Sequence, residues 1–283
     1  MIEVTSFLLG DSTPTTINVK YSTFPAGEEY VLIENPEAIG ESVCIEIDDA
    51  DARVIMKACL IADAVKNLNP TTVTIAKFGY FPYGRQDRVC ALGESFSLKF
   101  FIDMLKLRFD RVDTFDPHSD VTRQELSYML KEDRGFLARE YIDSKGNTGK
   151  LKEMLPKDLV VISPDKGAVQ RSLDISNFLG LDGNVVLCDK VRFEGKIKIA
   201  TSSVHIDEVI ENKNFLISDD ICDGGGTFLA LADAIKVINP EAQLYLVISH
   251  GVFSKGFEEL EKYYRGIFTV KNTYNMKAIS KWK

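Results

Sequence analysis

Residues 214–238 read NFLISDDICDGGGTFLALADAIKVI, and the rest of the 283-residue chain is organised around them. Phe215, Leu216 and Ile217 make a short apolar run that stops at two carboxylates, Asp219 and Asp220, the pattern of a buried strand reaching a polar edge. Gly224, Gly225 and Gly226 then supply backbone freedom and bare amides, and Thr227 is placed to cap a helix. Phe228, Leu231, Ile235 and Ile238 recur at helical spacing until Asn239-Pro240 ends the pattern. The stretch predicts strand, acidic edge, glycine loop and helix.

A glycine loop that opens a helix points unpaired N–H groups at one spot, and the helix dipole favours an anion there. A phosphate is the expected guest. Asp219 and Asp220 would repel a bare phosphate but suit sugar hydroxyls or an intervening magnesium ion, so a ribose phosphate satisfies both halves. An ordinary strand-to-helix turn with solvated aspartates accounts for the same letters, and three glycines alone do not decide.

A hydrophobic content of 45% without low-complexity tracts predicts a globular chain of two domains. Its net charge of −8 argues against broad nucleic-acid binding, while local basic loops remain free to bind nucleotides. The N-terminus lacks a basic, apolar leader and no run reaches membrane-spanning length, so a cytoplasmic location without a membrane partner is expected. The five cysteines, Cys44, Cys59, Cys90, Cys188 and Cys222, show no CxxC spacing and read as free thiols. Cys222, on the approach to the glycine loop, is read as a small buried filler rather than a nucleophile.

Internal similarity adds a second line of argument. Residues 62–70, ADAVKNLNP, recur as residues 232–240, ADAIKVINP, and each copy leads toward an expected strand. Past those strands, residues 79–84, GYFPYG, align with residues 251–256, GVFSKG. Likeness carried through helix, strand and loop predicts two copies of one α/β unit. The charged stretch 126–156, with a Lys-Gly-Asn-Thr-Gly turn, is where the division is expected, giving domains 1–148 and 149–283.

Other loops carry chemistry. Residues 80–88, YFPYGRQDR, set two arginines beside aromatics, which suits a nucleotide and equally an interface. Residues 113–120, DTFDPHSD, put His118 among acids, compatible with a metal–phosphate site or with a structural histidine. Asp165, in Ser163-Pro164-Asp165-Lys166-Gly167, stands at the carboxyl end of an expected strand, where open parallel sheets bind ligands. Residues 189–196, DKVRFEGK, form a basic turn that reads as a lid or as a solvated hairpin.

Six motifs, YFPYGRQDR, DPH, SPDKG, DKVR, DDICDGGGT and SHGVFS, stand in this order over most of the chain, and together they resemble the ribose-phosphate diphosphokinases, also called phosphoribosyl pyrophosphate synthetases. The resemblance implies an α/β chain of two duplicated type I phosphoribosyltransferase-like domains, each a mainly parallel sheet flanked by helices. It implies transfer of the ATP pyrophosphoryl group to the C1 hydroxyl of ribose 5-phosphate, with magnesium as cofactor, in a homo-oligomer (dimer or hexamer). By position, Asp219, Asp220, Asp223, Gly224, Gly225, Gly226 and Thr227 are similar to the ribose-phosphate loop. Phe24, Gly27 and Glu28 resemble an adenine-side loop contributed across a subunit interface, and Arg85, Gln86 and Asp87 an ATP-contacting motif. His118 and Asp165 resemble a magnesium-linked pair, and Lys190 and Arg192 the basic pair of the catalytic flexible loop. His250 falls in a family motif without an assigned role.

The chain departs from the family at the loop, where Asp-Thr-Ala/Cys-Gly-Thr is replaced by Asp223 and three glycines. Loss of side chains at 224 and 225 is expected to leave room for a 5′-substituent, which makes ADP-ribose an alternative acceptor for the same chemistry. Residues 29–55 match the family poorly. A phosphoribosyltransferase and a non-catalytic regulatory homologue are the competing classes; Asp223, DKVR and the duplication oppose the first, and retention of Lys190, Arg192, His118 and Asp165 opposes the second.

Overall fold

The structure is a computed structural model and describes residues 2–8, 13–133, 139–181, 185–188, 190–193, 196–199 and 213–282. The chain divides into two units, Met1–Arg134 and Gly135–Lys283. This division falls ahead of the one expected after residue 148. The reason lies in a hairpin, β9 (Glu140–Asp143) with β10 (Thr148–Lys150), which hydrogen-bonds into the sheet of the second unit.

In the first unit, β1 (Ile2–Phe7) and β2 (Thr15–Thr16) precede a separate hairpin of β3 (Val19–Thr23) and β4 (Glu29–Ile33). Next come β5 (Ser42–Ile47), α1 (Ala52–Leu68), β6 (Val73–Phe78), α2 (Ser97–Lys106), β7 (Arg111–Phe115), α3 (Asp120–Glu125) and β8 (Leu130–Asp133). Among the described residues the sheet order is β2-β1-β5-β6-β7-β8. β5 to β8 run parallel, and β1 closes one side antiparallel to β5. Val43, Ile45 and Ile47 are buried against α1, which turns Ile55, Ala58, Ile61, Ala62 and Val65 inward at helical spacing.

The second unit continues after β10 with α4 (Leu151–Met154), β11 (Val160–Ser163), α5 (Val169–Leu179), β12 (Val185–Leu187), and a hairpin of β13 (Lys190–Phe193) and β14 (Lys196–Ile199). β15 (Asn214–Cys222), α6 (Gly226–Ile238), β16 (Gln243–Gly251), α7 (Glu258–Glu261), β17 (Tyr264–Val270) and α8 (Thr273–Lys281) complete it. The order is β10-β9-β17-β16-β15-β11-β12, parallel from β17 to β12. Phe215, Leu216, Ile217 and Ser218 are buried one after another, as expected of a parallel strand covered on both faces.

The duplication is visible at the level of single hydrogen bonds. Asn69 ends α1 with its N–H on the Val65 carbonyl at 2.9 Å, and Asn239 ends α6 with its N–H on the Ile235 carbonyl at 2.8 Å. Each asparagine then accepts, on Oδ1, the N–H two residues on, from Thr71 and from Glu241, both at 3.1 Å. The two helix starts differ. Asp51 caps α1 through its side chain, accepting the Arg53 N–H at 2.7 Å, whereas α6 begins at Gly225 with no side-chain cap.

Two local expectations are corrected. β15 does not stop before the aspartates but carries Asp219 and Asp220 within it as far as Cys222, because β16 continues to pair alongside up to Gly251. Thr227 is not the cap: Gly225, in the left-handed region at φ +74°, turns the chain early, so Thr227 already lies inside α6. Among the described residues no helix is long and apolar enough to cross a membrane.

At the end of β16 the Phe253 ring, buried and at φ +46°, lies over Gly251, where a Cβ would sit 2.0 Å from Phe253 Cε2. Gly251→Ala is expected to lower stability by about 1–3 kcal/mol, the cost of overpacking a filled interior, read as a fall in the urea midpoint.

Candidate active site

The second unit assembles its acids at the carboxyl ends of two adjacent parallel strands, β11 and β15. Asp219 and Asp220 lie near the end of β15, and Asp165 comes directly after β11. Asp165 shapes its own turn: its Oδ1 accepts the N–H groups of Gly167 at 2.9 Å and Ala168 at 3.2 Å. Burial pushes the Asp219 carboxyl up to about 7, and the negative charges of Asp220 and Asp165 push the same way. The Asp220 N–H, donating to Asp219 Oδ1 at 2.9 Å, and the Arg171 guanidinium oppose the shift.

Arg171 was not singled out by sequence reasoning. It projects from α5, and its Nη1 donates to Ser249 Oγ on β16 at 2.8 Å. Its position in a helix gave no motif to read; only the pairing of β16 beside β15 brings its charge to Asp219.

The glycine loop is latched to the segment after β16. The N–H groups of Val252 and Phe253 both donate to the Cys222 carbonyl, at 2.9 and 3.0 Å, and the Ser254 N–H donates to the Asp223 carbonyl at 3.1 Å. Gly224, Gly225, Gly226 and Thr227 then lead into α6, whose uncapped start leaves N–H groups for an anion. Burial, joined by the charges of Asp219 and Asp223, pushes the Cys222 thiol up to about 12. That agrees with an inert filler rather than a nucleophile. His250 is buried on β16 opposite Ile221.

The expected room at 224 and 225 is absent. A Cβ on Gly224 would lie 3.3 Å from Lys255 Cε, and one on Gly225 would lie 3.1 Å from Leu260 Cδ2. At Gly226 a Cβ would meet no other atom within 4 Å. The open side of the loop is one residue further on than the sequence suggested.

In the first unit, two loops at the carboxyl ends of β6 and β7 meet. Asp87 accepts from Arg88 Nε at 2.8 Å and Nη2 at 3.2 Å, and from Ser119 Oγ at 2.9 Å. The bond from Arg88 is the main reason that the Asp87 carboxyl is held below its ordinary value, with Ser119 and the charge of His118 adding to it. His118 is exposed, and its Cβ lies 3.5 Å from where a Cβ on Gly84 would stand. Asp87 and His118 are thus brought together, and Arg85 and Gln86 are exposed beside them. Asp116, at the turn into the histidine loop, is buried at φ +43°.

The remaining sequence candidates are dispersed. Phe24, Gly27 and Glu28 form the exposed tip of the β3–β4 hairpin, where Phe24 N–H donates to the Glu28 carbonyl at 2.8 Å and Gly27 turns at φ +100°. Lys190 and Arg192 are paired through β13 with Ile199 and Ile197, so the basic turn is a hairpin in backbone terms; their side chains lie outside the described residues. His118 belongs to the first unit and Asp165 to the second.

Among the described residues no three His, Cys, Asp or Glu side chains converge into a ready cation cage. Magnesium commonly takes one or two carboxylates and completes its shell with water and phosphate oxygens. The acids around Asp219 fit that mode of binding, since a cation there would offset both the burial that chiefly raises the Asp219 carboxyl and the lesser repulsion from Asp220 and Asp165.

Comparison with known proteins agrees with this geometry. The Phosphoribosyl transferase domain family matches residues 136–280. The ribose-phosphate pyrophosphokinase of Pyrococcus furiosus is 30% identical over 265 residues, covering 89% of this chain and 84% of that protein. The chain belongs to the ribose-phosphate pyrophosphokinase family. The enzyme of the same name from Pyrococcus abyssi is 29% identical, covering 85% and 78% of the two chains. A phosphoribosylpyrophosphate synthetase from Mycobacterium smegmatis shares the fold, with a TM-score of 0.68 at 19% identity over 88% of this chain and 78% of that one.

The raised Asp219 carboxyl has a consequence for stability. An acid whose native pKa exceeds its unfolded value of about 4 costs the fold increasingly as pH rises, because the unfolded chain ionises first. Asp219→Asn is therefore expected to raise the melting temperature relative to wild type at pH 8. The difference should grow between about pH 4 and about 7 and vanish below that window, as checked by thermal unfolding across the range.

Proposed function

We propose that this chain transfers the pyrophosphoryl group of ATP to the C1 hydroxyl of ribose 5-phosphate, giving phosphoribosyl pyrophosphate and AMP. The observation that carries the reading is the latched glycine loop between the acidic end of β15 and the uncapped start of α6. Family membership supports it. Asp219 and Asp220 are proposed to hold the ribose hydroxyls, and Asp223 with residues 224–227 to position the 5′-phosphate against the loop amides. Arg85, Gln86, Phe24, Gly27 and Glu28 are proposed to hold ATP, with Asp87 fixing the loop that carries the first two.

Phosphoryl-group transfer leaves a protein little covalent work, so positioning and charge neutralisation carry the rate. Lys190 and Arg192 are proposed to neutralise charge that develops on the transferring group. Magnesium would supply further positive charge when bound, with Asp165 among the carboxylates of the second unit that would hold it together with phosphate oxygens. Closure of the basic loop that carries Lys190 and Arg192 would exclude water, whose attack on ATP is the competing reaction. The proposed setting is the cytoplasm.

AMP release from ATP with added ribose 5-phosphate and magnesium tests the activity. No AMP under those conditions would sink it and favour a regulatory homologue. Lys190→Ala is expected to lower kcat by about a hundredfold while KM for ATP changes far less, the mark of an interaction made in the transition state. An unchanged kcat removes Lys190 from that role.

The active species is proposed to be a homo-oligomer, because the exposed Phe24–Glu28 tip is resembled by a family loop that completes a neighbour's site. Sedimentation at assay concentration should show it. Full specific activity in a monomer would overturn this assignment.

A further inference from the structure

The glycine loop is closed on one side and open on another. Beside Gly224, the Lys255 stem fills the space that a side chain would take: a Cβ there would meet Cε at 3.3 Å, Cδ at 3.4 Å and Cγ at 3.7 Å. A threonine, the residue that the family resemblance leads one to expect at 224, would displace this lysine. Gly225 is barred to side chains by its φ of +74° and by Leu260. Gly226, first residue of α6, is exposed and faces open space.

Lys255 is held at this place by the backbone. Ser254 N–H donates to the Asp223 carbonyl at 3.1 Å, and the Gly256 N–H donates to the Phe253 carbonyl at 2.9 Å. The lysine is exposed, and among the described residues it has no ion-pair partner. An uncommitted ammonium therefore stands at the flank of a loop that already offers its amides to one phosphate. Charge-assisted contact with a second phosphate is what such a group is suited to.

We propose that the acceptor site also takes ribose phosphates whose 5′-phosphate is part of a diphosphate, Lys255 neutralising the added phosphate while the open side at Gly226 passes the substituent. This rests on the pyrophosphoryl-transfer reading of the site and specifies its substrate class. The acceptor must keep a free C1 hydroxyl. That oxygen forms a bond to the β-phosphorus of ATP, the bond from that phosphorus to the bridging oxygen breaks, AMP leaves with the bridging oxygen, and the hydroxyl proton passes to solvent. No oxidant or reductant is needed.

ADP-ribose is the probe, because its distal ribose has a free C1 hydroxyl and a 5′-diphosphate. AMP release and product mass are measured with ribose 5-phosphate and with ADP-ribose, for the wild type, Lys255→Gln and Gly226→Val. The wild type should form the pyrophosphorylated product from both. Lys255→Gln and Gly226→Val should each lower the kcat/KM ratio of ADP-ribose to ribose 5-phosphate by about tenfold or more. Calorimetric titration with ADP-ribose in the absence of ATP should show the corresponding loss of affinity in Lys255→Gln.

Turnover of ribose 5-phosphate alone would overturn the proposal and leave the proposed function standing. Turnover of ADP-ribose with ratios unmoved in both variants would overturn the roles of Lys255 and Gly226. Absence of AMP with either acceptor would mark a failure of the activity itself, and the proposal would fall with it.

Discussion

Parallel strands leave a sheet from the same edge, and this constraint determines where chemistry can occur in both units. β11, β15 and β16 end side by side, so Asp165, Asp219, Asp220 and the loops beyond them have one place to meet. The Cys222 and Asp223 carbonyls then tie the glycine loop to residues 252–254, which makes two distant stretches of sequence one surface. Burying a carboxylate at that edge, with Asp220 and Asp165 close by, has an electrostatic cost, visible in the raised Asp219 carboxyl.

The parts of the fold legible in sequence were those governed by local periodicity. The inward faces of α1 and α6, their stops at Asn69 and Asn239, and the buried run of β15 all arise from spacing and chain punctuation. The repeat of residues 62–70 at 232–240 predicted matching units, and the paired asparagine caps bear that out. Thr227 was misplaced because the helix start depends on the backbone angle of Gly225, which composition does not reveal.

Site residues brought in by distant pairing were not legible. Arg171 reaches Asp219 only because Ser249 holds its guanidinium from the neighbouring strand. Lys255 reaches Gly224 only because Ser254 is bonded to Asp223. Asp87 is legible as part of an ATP-contacting motif, but not its bonds to Arg88 and Ser119, the second of which ties two loops together. In each case the deciding bond spans residues that no short motif contains.

The two copies of the unit begin their equivalent helices differently, and this separates their capacities. At α1 the carboxylate of Asp51 already lies on the helix start, accepting the Arg53 N–H. The first copy thus carries its own built-in anion, and a phosphate approaching there would meet both an occupied donor and a like charge. At α6 glycine stands at that position and brings no such tenant. One cap residue is therefore enough to make one copy self-satisfied and leave the start of the other open to an anion, so a duplicated scaffold can turn one inherited element into two unlike ends.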